Sequence, residues 1–328
     1  MIKLPPVSFI ICTYNDKLLV KKCIDSILFQ DYSGKFEIIC IDDKSTDGTL
    51  EFLKSYGSKI KLFINKTKYA EGFDAGKSQG YKKAKGEVII FLDQDNELIG
   101  KNWLSEFVKP FIFEKDIIGA PCIMQVRKED NIANRYLSYM GTDPFAIERS
   151  FEGRFALGKL KLDDKKDYWI YSIPKDDILC TGGNCFGVFK KNLDLINGYS
   201  YDVEMIYNLV HKGVNNIAIP KNTRVHHLTV NSLWDFVSKR YKWGKRYAVA
   251  DLKDNNRKYS WIPQNFKEWV KFFVFVFLNL IIITRLFKGI WNCFKYKDLA
   301  WILHPFMLFY IALVYGILGV YMVVRRLF

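Results

Sequence analysis

The chain has 328 residues, 49% of them hydrophobic and 16% aromatic, enough to bury a core in one large domain or two modest ones. Charged residues make up 26% and no low-complexity tract occurs, which excludes the disordered and fibrous classes. With 49 Lys and Arg against 35 Asp and Glu the net charge is +14, a balance that suggests an anionic partner: nucleic acid, a membrane surface or a phosphate-bearing substrate.

Residues 1–6 lack the architecture of a signal peptide. Residues 7–12 form an apolar, β-favouring run that ends in Thr13-Tyr14-Asn15-Asp16, a pattern that predicts a buried strand and then a loop able to cap a helix. Leu19, Cys23, Ile24, Ile27 and Leu28 recur at helical spacing. Residues 36–41 predict a second strand, ending in Asp42-Asp43, and Asp47 is placed to cap a helix carrying Leu50 and Leu53. Residues 60–64 predict a third strand, residues 73–84 a glycine-interrupted helix, and residues 87–92 a fourth strand ending in Asp93-Gln94-Asp95. The seven cysteines are scattered, with no CxxC pair, so neither a zinc cluster nor a disulfide framework is expected and a reducing compartment fits.

Alternating strands and helices with continuous apolar strands predict an α/β fold, a mostly parallel sheet flanked by helices. Right-handed crossovers bring the carboxyl ends of such strands to one edge, where ligands bind. Thr13-Tyr14-Asn15, Asp42-Asp43 and Asp93-Gln94-Asp95 all fall there. No GxGxxG follows the first strand and no GxxxxGK[ST] occurs, which disfavours dinucleotide and P-loop sites. Carboxylates repel a diphosphate directly but hold it through a divalent cation, so Asp93 and Asp95 are candidate ligands for Mg2+ or Mn2+. Tyr14 offers a flat face to a base, and Asp43 an acceptor to a base or ribose.

Residues 124–180 are expected to hold acceptor-contacting loops; their charge run around Asp163, Asp164 and Asp167 reads as solvated. Residues 221–258 carry ten Lys or Arg against three Asp, a net +7, either a solvated basic face or a surface that meets anionic headgroups or a lipid phosphate. No nucleic-acid-reading motif accompanies it. Residues 299–324 are 26 in a row without a formal charge. As a helix they would reach ~39 Å against a hydrocarbon slab ~30 Å thick, and they are expected to be transmembrane. Residues 272–284 are 13 uncharged residues between Lys271 and Arg285, a length that suits an interfacial or re-entrant helix as well as a short span. The organisation expected is a domain over 1–230, a basic juxtamembrane segment over 231–265 and membrane-associated helices over 266–328.

The motifs, in order, are Val7-Ser-Phe-Ile-Ile-Cys-Thr-Tyr-Asn15, Ile41-Asp-Asp-Lys-Ser-Thr-Asp-Gly-Thr49, Ala84-Lys-Gly-Glu-Val-Ile-Ile-Phe-Leu-Asp-Gln-Asp95, Thr181-Gly-Gly-Asn184 and Tyr201-Asp-Val-Glu204. With them the chain resembles glycosyltransferase family 2, the inverting nucleotide-sugar enzymes of the A-type fold, over about residues 7 to 243. The resemblance implies that Tyr14 packs near the nucleobase and that Asp43 contacts base or ribose. It gives Asp93 the ribose or metal shell, Asp95 the metal, and Lys77 an approach to the donor. Gly182 and Gly183 let the backbone pass close to the donor sugar, and Asp202 is the catalytic base. On the residues alone Asp202 is also a plain N-cap, with Glu204 in reserve as base. The family's Gly, Asn and Glu are replaced here by Lys44, Ser78 and Tyr201. Of His226 and His227 at the end of a predicted strand, His227 is the preferred metal ligand. Lys239-Arg-Tyr-Lys-Trp243 has the spacing of the QxxRW box, so Lys242 and Trp243 either hold a diphosphate and stack on an acceptor sugar or belong to an amphipathic juxtamembrane helix.

The expected protein is a membrane-anchored, metal-dependent inverting glycosyltransferase of cell-surface polysaccharide or glycolipid synthesis. Its catalytic domain would stand on the cytoplasmic face. It would take a nucleotide-diphospho-sugar donor and a glycan or lipid-linked acceptor at the membrane, and no nucleic acid. The alternatives are a polyprenyl-phosphate sugar synthase and a catalytically silent nucleotide-binding membrane scaffold.

Overall fold

The structure is a computed structural model that describes residues 3–65, 75–141, 150–253, 258–259 and 266–327. It contains two compact units, Met1–Gln125 with Lys159–His227 and Val126–Gly158 with Leu228–Phe328. Residues 126–158, assigned from sequence to the domain over 1–230, thus belong to the second unit.

The strands of the first unit are β1 (Val7–Thr13), β2 (Phe36–Asp42), β3 (Lys61–Ile64), β4 (Val88–Asp93), β5 (Asn96–Leu98), β6 (Ile117–Pro121), β7 (Ile123–Met124), β8 (Asp163–Asp164), β9 (Tyr168–Ser172), β10 (Phe186–Phe189), β11 (Asn216–Pro220) and β12 (Arg224–His227). Nine of them form one sheet in the order β3-β2-β1-β4-β10-β6-β11-β9-β8, and β5-β12-β7 form a second. From β3 to β4 the pairing is parallel. The expectation of a mostly parallel sheet fails beyond β4, because β10 runs antiparallel to both β4 and β6, and β9 antiparallel to both β11 and β8. The sheet is mixed for a directional reason. The chain before β10 already lies at the carboxyl edge, where Gly183 meets the helix Ala75–Lys83, so a strand starting at Phe186 can only run back.

The predicted strands have a local cause. Phe9, Ile10 and Ile11 of β1 and Ile89, Ile90, Phe91 and Leu92 of β4 are all fully buried. Layers on both faces remove the polar alternation of a half-solvated strand, and each such side chain contributes about 1.5–3 kcal/mol of burial. Asp16 caps the helix Lys17–Leu28 by accepting from Leu19 N, and Val20, Cys23, Ile24 and Ile27 form its buried stripe. The helix expected over 73–84 runs over Ala75–Lys83; residues 73 and 74 lie outside the described residues. Its glycines are contact points. A Cβ on Gly76 would stand 2.7 Å from Cys12 Sγ, and one on Gly80 would stand 2.4 Å from Ile10 Cγ2, so the helix lies directly on β1.

The second unit is helical, with helices Ile132–Met140, Phe151–Ala156, Leu233–Lys253, Phe266–Leu280, Ile282–Tyr296 and His304–Leu327. Tyr136, Leu137, Phe236, Trp301, Leu308 and Ile311 form its core. Asp298 accepts from Ala300 N at 2.8 Å and pairs with Arg135 Nε at 3.2 Å, fixing the turn ahead of the last helix. The expected uninterrupted helix over 299–324 opens as a 3-10 turn over Leu299–Leu303 and becomes α-helical at His304, where Pro305 falls in the first turn that tolerates it. Leu299–Tyr321, with mean hydropathy 1.9, is the one helical stretch among the described residues long and apolar enough to cross a membrane unaided; 44% of it is buried within the unit. Its other side leaves Phe306, Leu313, Ile317 and Val320 exposed. The helical segments Trp269–Leu280 and Arg285–Tyr296 meet at 71°, as in a broken span or a re-entrant loop.

Candidate active site

Parallel pairing sets Thr13 beside Asp42 and Cys12 beside Asp93, so β1, β2 and β4 end at one level. Asp42 is fully buried and serves the fold: its carboxylate accepts from Thr13 Oγ1 at 2.9 Å, Ser45 N at 2.8 Å and Ser45 Oγ at 2.6 Å. Asp43 follows at the edge, its N–H donating to Thr13 O at 2.7 Å and its Oδ1 accepting from Asn65 Nδ2 at 3.0 Å. Lys44 sits at φ +62°, a left-handed conformation that strains a residue with a Cβ. Gln94 reaches across to the loop after β1. Its Oε1 accepts from Tyr14 N at 2.7 Å, and its Nε2 donates to Tyr14 O at 3.1 Å and Asn15 O at 3.2 Å. Tyr14 keeps 55% of its surface exposed.

Lys77 is the buried centre of the edge. Its Nζ donates to Gly183 O at 2.7 Å and stands 3.3 Å from Asp93 Oδ1 and 3.6 Å from Asp202 Oδ1. Burial raises the pKa of the Asp93 carboxyl; Lys77 opposes the rise, Asp95 adds to it, His227 opposes it and Asp202 adds to it. A bound cation would relieve this crowding of carboxylates. Gly183 lies against Asp202: a Cβ there would stand 1.6 Å from Asp202 Oδ2. Gly182 has φ +112° and faces Met205 and the Asp202 carbonyl. Asp202 opens the helix Asp202–His211, with its side chain 34% exposed. Glu204, the reserve candidate, is 8% exposed, which favours Asp202 as the group that can meet an acceptor.

The second sheet carries the remaining groups to the same place. β12 pairs antiparallel with β5, setting His227 opposite Asn96 and His226 opposite Glu97. His227 Nε2 lies 3.2 Å from Asp95 Oδ1, and its Nδ1 meets Asn184 Nδ2 at 2.9 Å. Asn96 Nδ2 donates to Asn184 Oδ1 at 2.6 Å and to Asp93 O at 3.0 Å. His226 stands apart from Asp95, with Nδ1 3.9 Å from Glu97 Oε2. Among the described residues no three His, Cys, Asp or Glu side chains form a metal-holding group, so the protein's donor set is the pair Asp95–His227, with Asp93 close by. One carboxylate and one imidazole suit Mn2+ when phosphate oxygens complete the shell. Asn96 Oδ1, buried beside Asp95, has no partner among the described residues and adds an oxygen to this donor-rich corner. By donor type the residues fit a divalent cation, but the amide chain from Asn96 Nδ2 to Asn184 Oδ1 and from Asn184 Nδ2 to His227 Nδ1 leaves the imidazole proton on Nε2 facing Asp95, so ligation by Nε2 would require Asn184 and Asn96 to turn together.

Tyr14, Asp43, Lys77, Asp93, Asp95, Gly182, Gly183, Asp202 and His227 therefore gather at the carboxyl edge of the first unit. Lys242 and Trp243 lie on the helix Leu233–Lys253 of the second unit, both exposed. There the buried cation is Arg240, 1% exposed, with its guanidinium 5.1 Å from the Trp243 ring centroid; sequence reasoning passed over it in favour of its lysine neighbours. Asn96, Asn184 and the loop-pinning role of Gln94 were also missed. Only the position of Gln94 between two aspartates, and of Asn184 after two glycines, could have drawn attention to them.

The sequence profile of the family described as "Glycosyl transferase family 2" matches residues 8–173. A GalNAc(5)-diNAcBac-PP-undecaprenol beta-1,3-glucosyltransferase of Campylobacter jejuni is 28% identical over 193 residues, 58% of this chain and 53% of that protein. A poly(ribitol-phosphate) beta-glucosyltransferase of Bacillus spizizenii is 39% identical over 93 residues, 27% of this chain and 15% of that protein. The chain thus spans about half of the first relative and a small part of the second. A mannosyltransferase from Pyrobaculum calidifontis, solved in complex with GDP-Man and Mn2+, superposes with a TM-score of 0.56 at 15% identity, covering 95% of this chain and 87% of that one. That likeness shows a common fold.

Proposed function

The chain belongs to glycosyl transferase family 2, and on that footing we propose that it is a membrane-associated inverting glycosyltransferase. It takes a sugar from a nucleotide-diphospho-sugar and passes it to a glycan or lipid-linked acceptor held at the bilayer, with its catalytic unit on the cytoplasmic face. What carries this proposal is the convergence of an exposed aromatic loop, two acidic strand ends and a buried lysine at one sheet edge.

The geometry supports the following roles. Tyr14 stacks on the nucleobase, and Asp43 and Asp93 accept from base and ribose. Asp95 and His227 would hold Mn2+ or Mg2+, which supplies charge neutralisation at the diphosphate leaving group. Lys77 holds Asp93, the Gly183 backbone and Asp202 in one cluster, and Gly182 and Gly183 open the space beside Asp202. Asp202 takes the proton of the acceptor hydroxyl; that oxygen bonds to the anomeric carbon from the face opposite the diphosphate, and the bond to the diphosphate breaks. The undecaprenol-linked substrate in the Campylobacter relative's name, the apolar stretch Leu299–Tyr321 and the +14 net charge support an acceptor at an anionic membrane.

A donor screen reading released nucleoside diphosphate, in the presence of membrane lipid extract and with Mn2+ or EDTA, tests the proposal. The expected result is turnover of one donor that EDTA abolishes. Nucleotide binding without turnover of any donor would show a silent scaffold, and full turnover by Asp202→Asn would point to direct transfer to a lipid phosphate, which needs no base.

A further inference from the structure

Asp202 is held by one of its two oxygens. Tyr199 Oη donates to Oδ1, and Lys77 Nζ faces the same oxygen at 3.6 Å. Oδ2 packs against Gly183, where a Cβ would meet it at 1.6 Å. The tyrosine is anchored independently of this contact: it is 4% exposed, and its ring packs on Phe91 of β4 with centroids 4.4 Å apart, two residues before Asp93. The strand that bears the acidic cluster therefore also seats the side chain that orients Asp202.

We infer that Tyr199 is a positioning residue for the transfer step: its hydroxyl fixes Asp202 Oδ1 and so holds the carboxylate in the one rotamer that meets the acceptor's proton. This rests on Asp202 being the base. A helix-opening aspartate with a free χ1 samples several rotamers. A hydrogen bond from a buried, packed donor selects one of them, and preorganisation of a base is worth rate rather than donor affinity. Tyr201 adopts extended backbone as the N-cap of the same helix.

Tyr199→Phe keeps the ring on Phe91 and removes only the hydroxyl. Turnover, donor KM and thermal unfolding are measured for Tyr199→Phe, Asp202→Asn and the double variant in the full-length protein. The expected result is a fall in kcat of about tenfold or more for Tyr199→Phe with donor KM changed less than about twofold. The unfolding temperature should stay near that of the parent, and the double variant should be no slower than Asp202→Asn. Parental kcat in Tyr199→Phe, with Asp202→Asn inactive, overturns the inference and leaves the base in place. A joint loss of kcat, donor affinity and stability, or losses that multiply in the double variant, also overturns it, since Tyr199 would then act on the fold. Full activity of Asp202→Asn removes the base and the inference together.

Discussion

Gln94 grips the backbone of Tyr14 with both ends of its side-chain amide, accepting from Tyr14 N at 2.7 Å and donating to Tyr14 O at 3.1 Å. The residue between the two aspartates thereby sets the position of the aromatic ring. Gln94→Ala should release the Tyr14 loop while leaving both carboxylates on β4. Donor KM should rise about tenfold with kcat changed far less, because the lost interaction serves binding in ground and transition states alike. Isothermal titration with the nucleoside diphosphate checks the same change without turnover.

Gly183 has no room for a side chain, since its Cβ would stand 1.6 Å from Asp202 Oδ2. Gly183→Ala should displace the carboxylate and cost on the order of 10²-fold in kcat, with nucleotide affinity retained. Single-turnover kinetics beside calorimetric binding separates the two effects.

Asn184 joins His227 to Asn96. Partners of a metal-binding imidazole set its tautomer, and their loss costs about 10–100-fold in metal affinity or activity. Asn184→Ala should raise the Mn2+ concentration for half-maximal turnover by that factor, and Asp95→Ala by at least as much. A metal titration of the initial rate reads both.

Lys44 adopts φ +62° in the turn after Asp42-Asp43. A left-handed conformation costs a non-glycine residue about 1–2 kcal/mol, and glycine returns part of that gain as chain entropy, about 0.5–1 kcal/mol. Lys44→Gly should stabilise the protein by about 0.5–1 kcal/mol, seen as a higher urea midpoint at unchanged m-value.

Glu37 accepts from Ser8 Oγ at 2.6 Å, from Lys85 N at 2.7 Å and from Lys61 Nζ. Burial pushes its pKa up, but the bonds from Lys61, Ser8 and the Lys85 backbone outweigh it and leave the carboxyl below its ordinary 4.5. A depressed acid stabilises the fold above its unfolded pKa and loses that contribution as pH falls through the folded value. Denaturant midpoints measured from pH 6 down to 3 should fall more steeply in the parent than in Glu37→Gln.

The residues at the ends of β1, β2 and β4 were legible in sequence because their cause is local. A short β-branched run such as residues 88–92 between turn residues reads as a strand buried on both faces, and the polar residues that end it then lie at the sheet edge. Lys77, Gly183 and Asp202 could be named only through a family resemblance, and nothing in the sequence showed that the Lys77 amine meets Gly183, Asp93 and Asp202 together. The β12–β5 register sets His227 beside Asn96 and Asp95 and His226 beside Glu97, a difference that the adjacent pair did not show in sequence.

Sequence alone determined the first four strands, the helices between them and the acidic groups that end β2 and β4, since hydrophobic period and burial are properties of short stretches of chain. Tertiary structure alone decided the antiparallel run of β10, the membership of residues 126–158 in the second unit and the contacts that orient the site. The reason is distance along the chain: Gln94 and Tyr14 are 80 residues apart, and Lys77 and Gly183 are 106 apart. Hydrogen bonds closed over such separations depend on how the whole sheet is ordered, which no local pattern encodes.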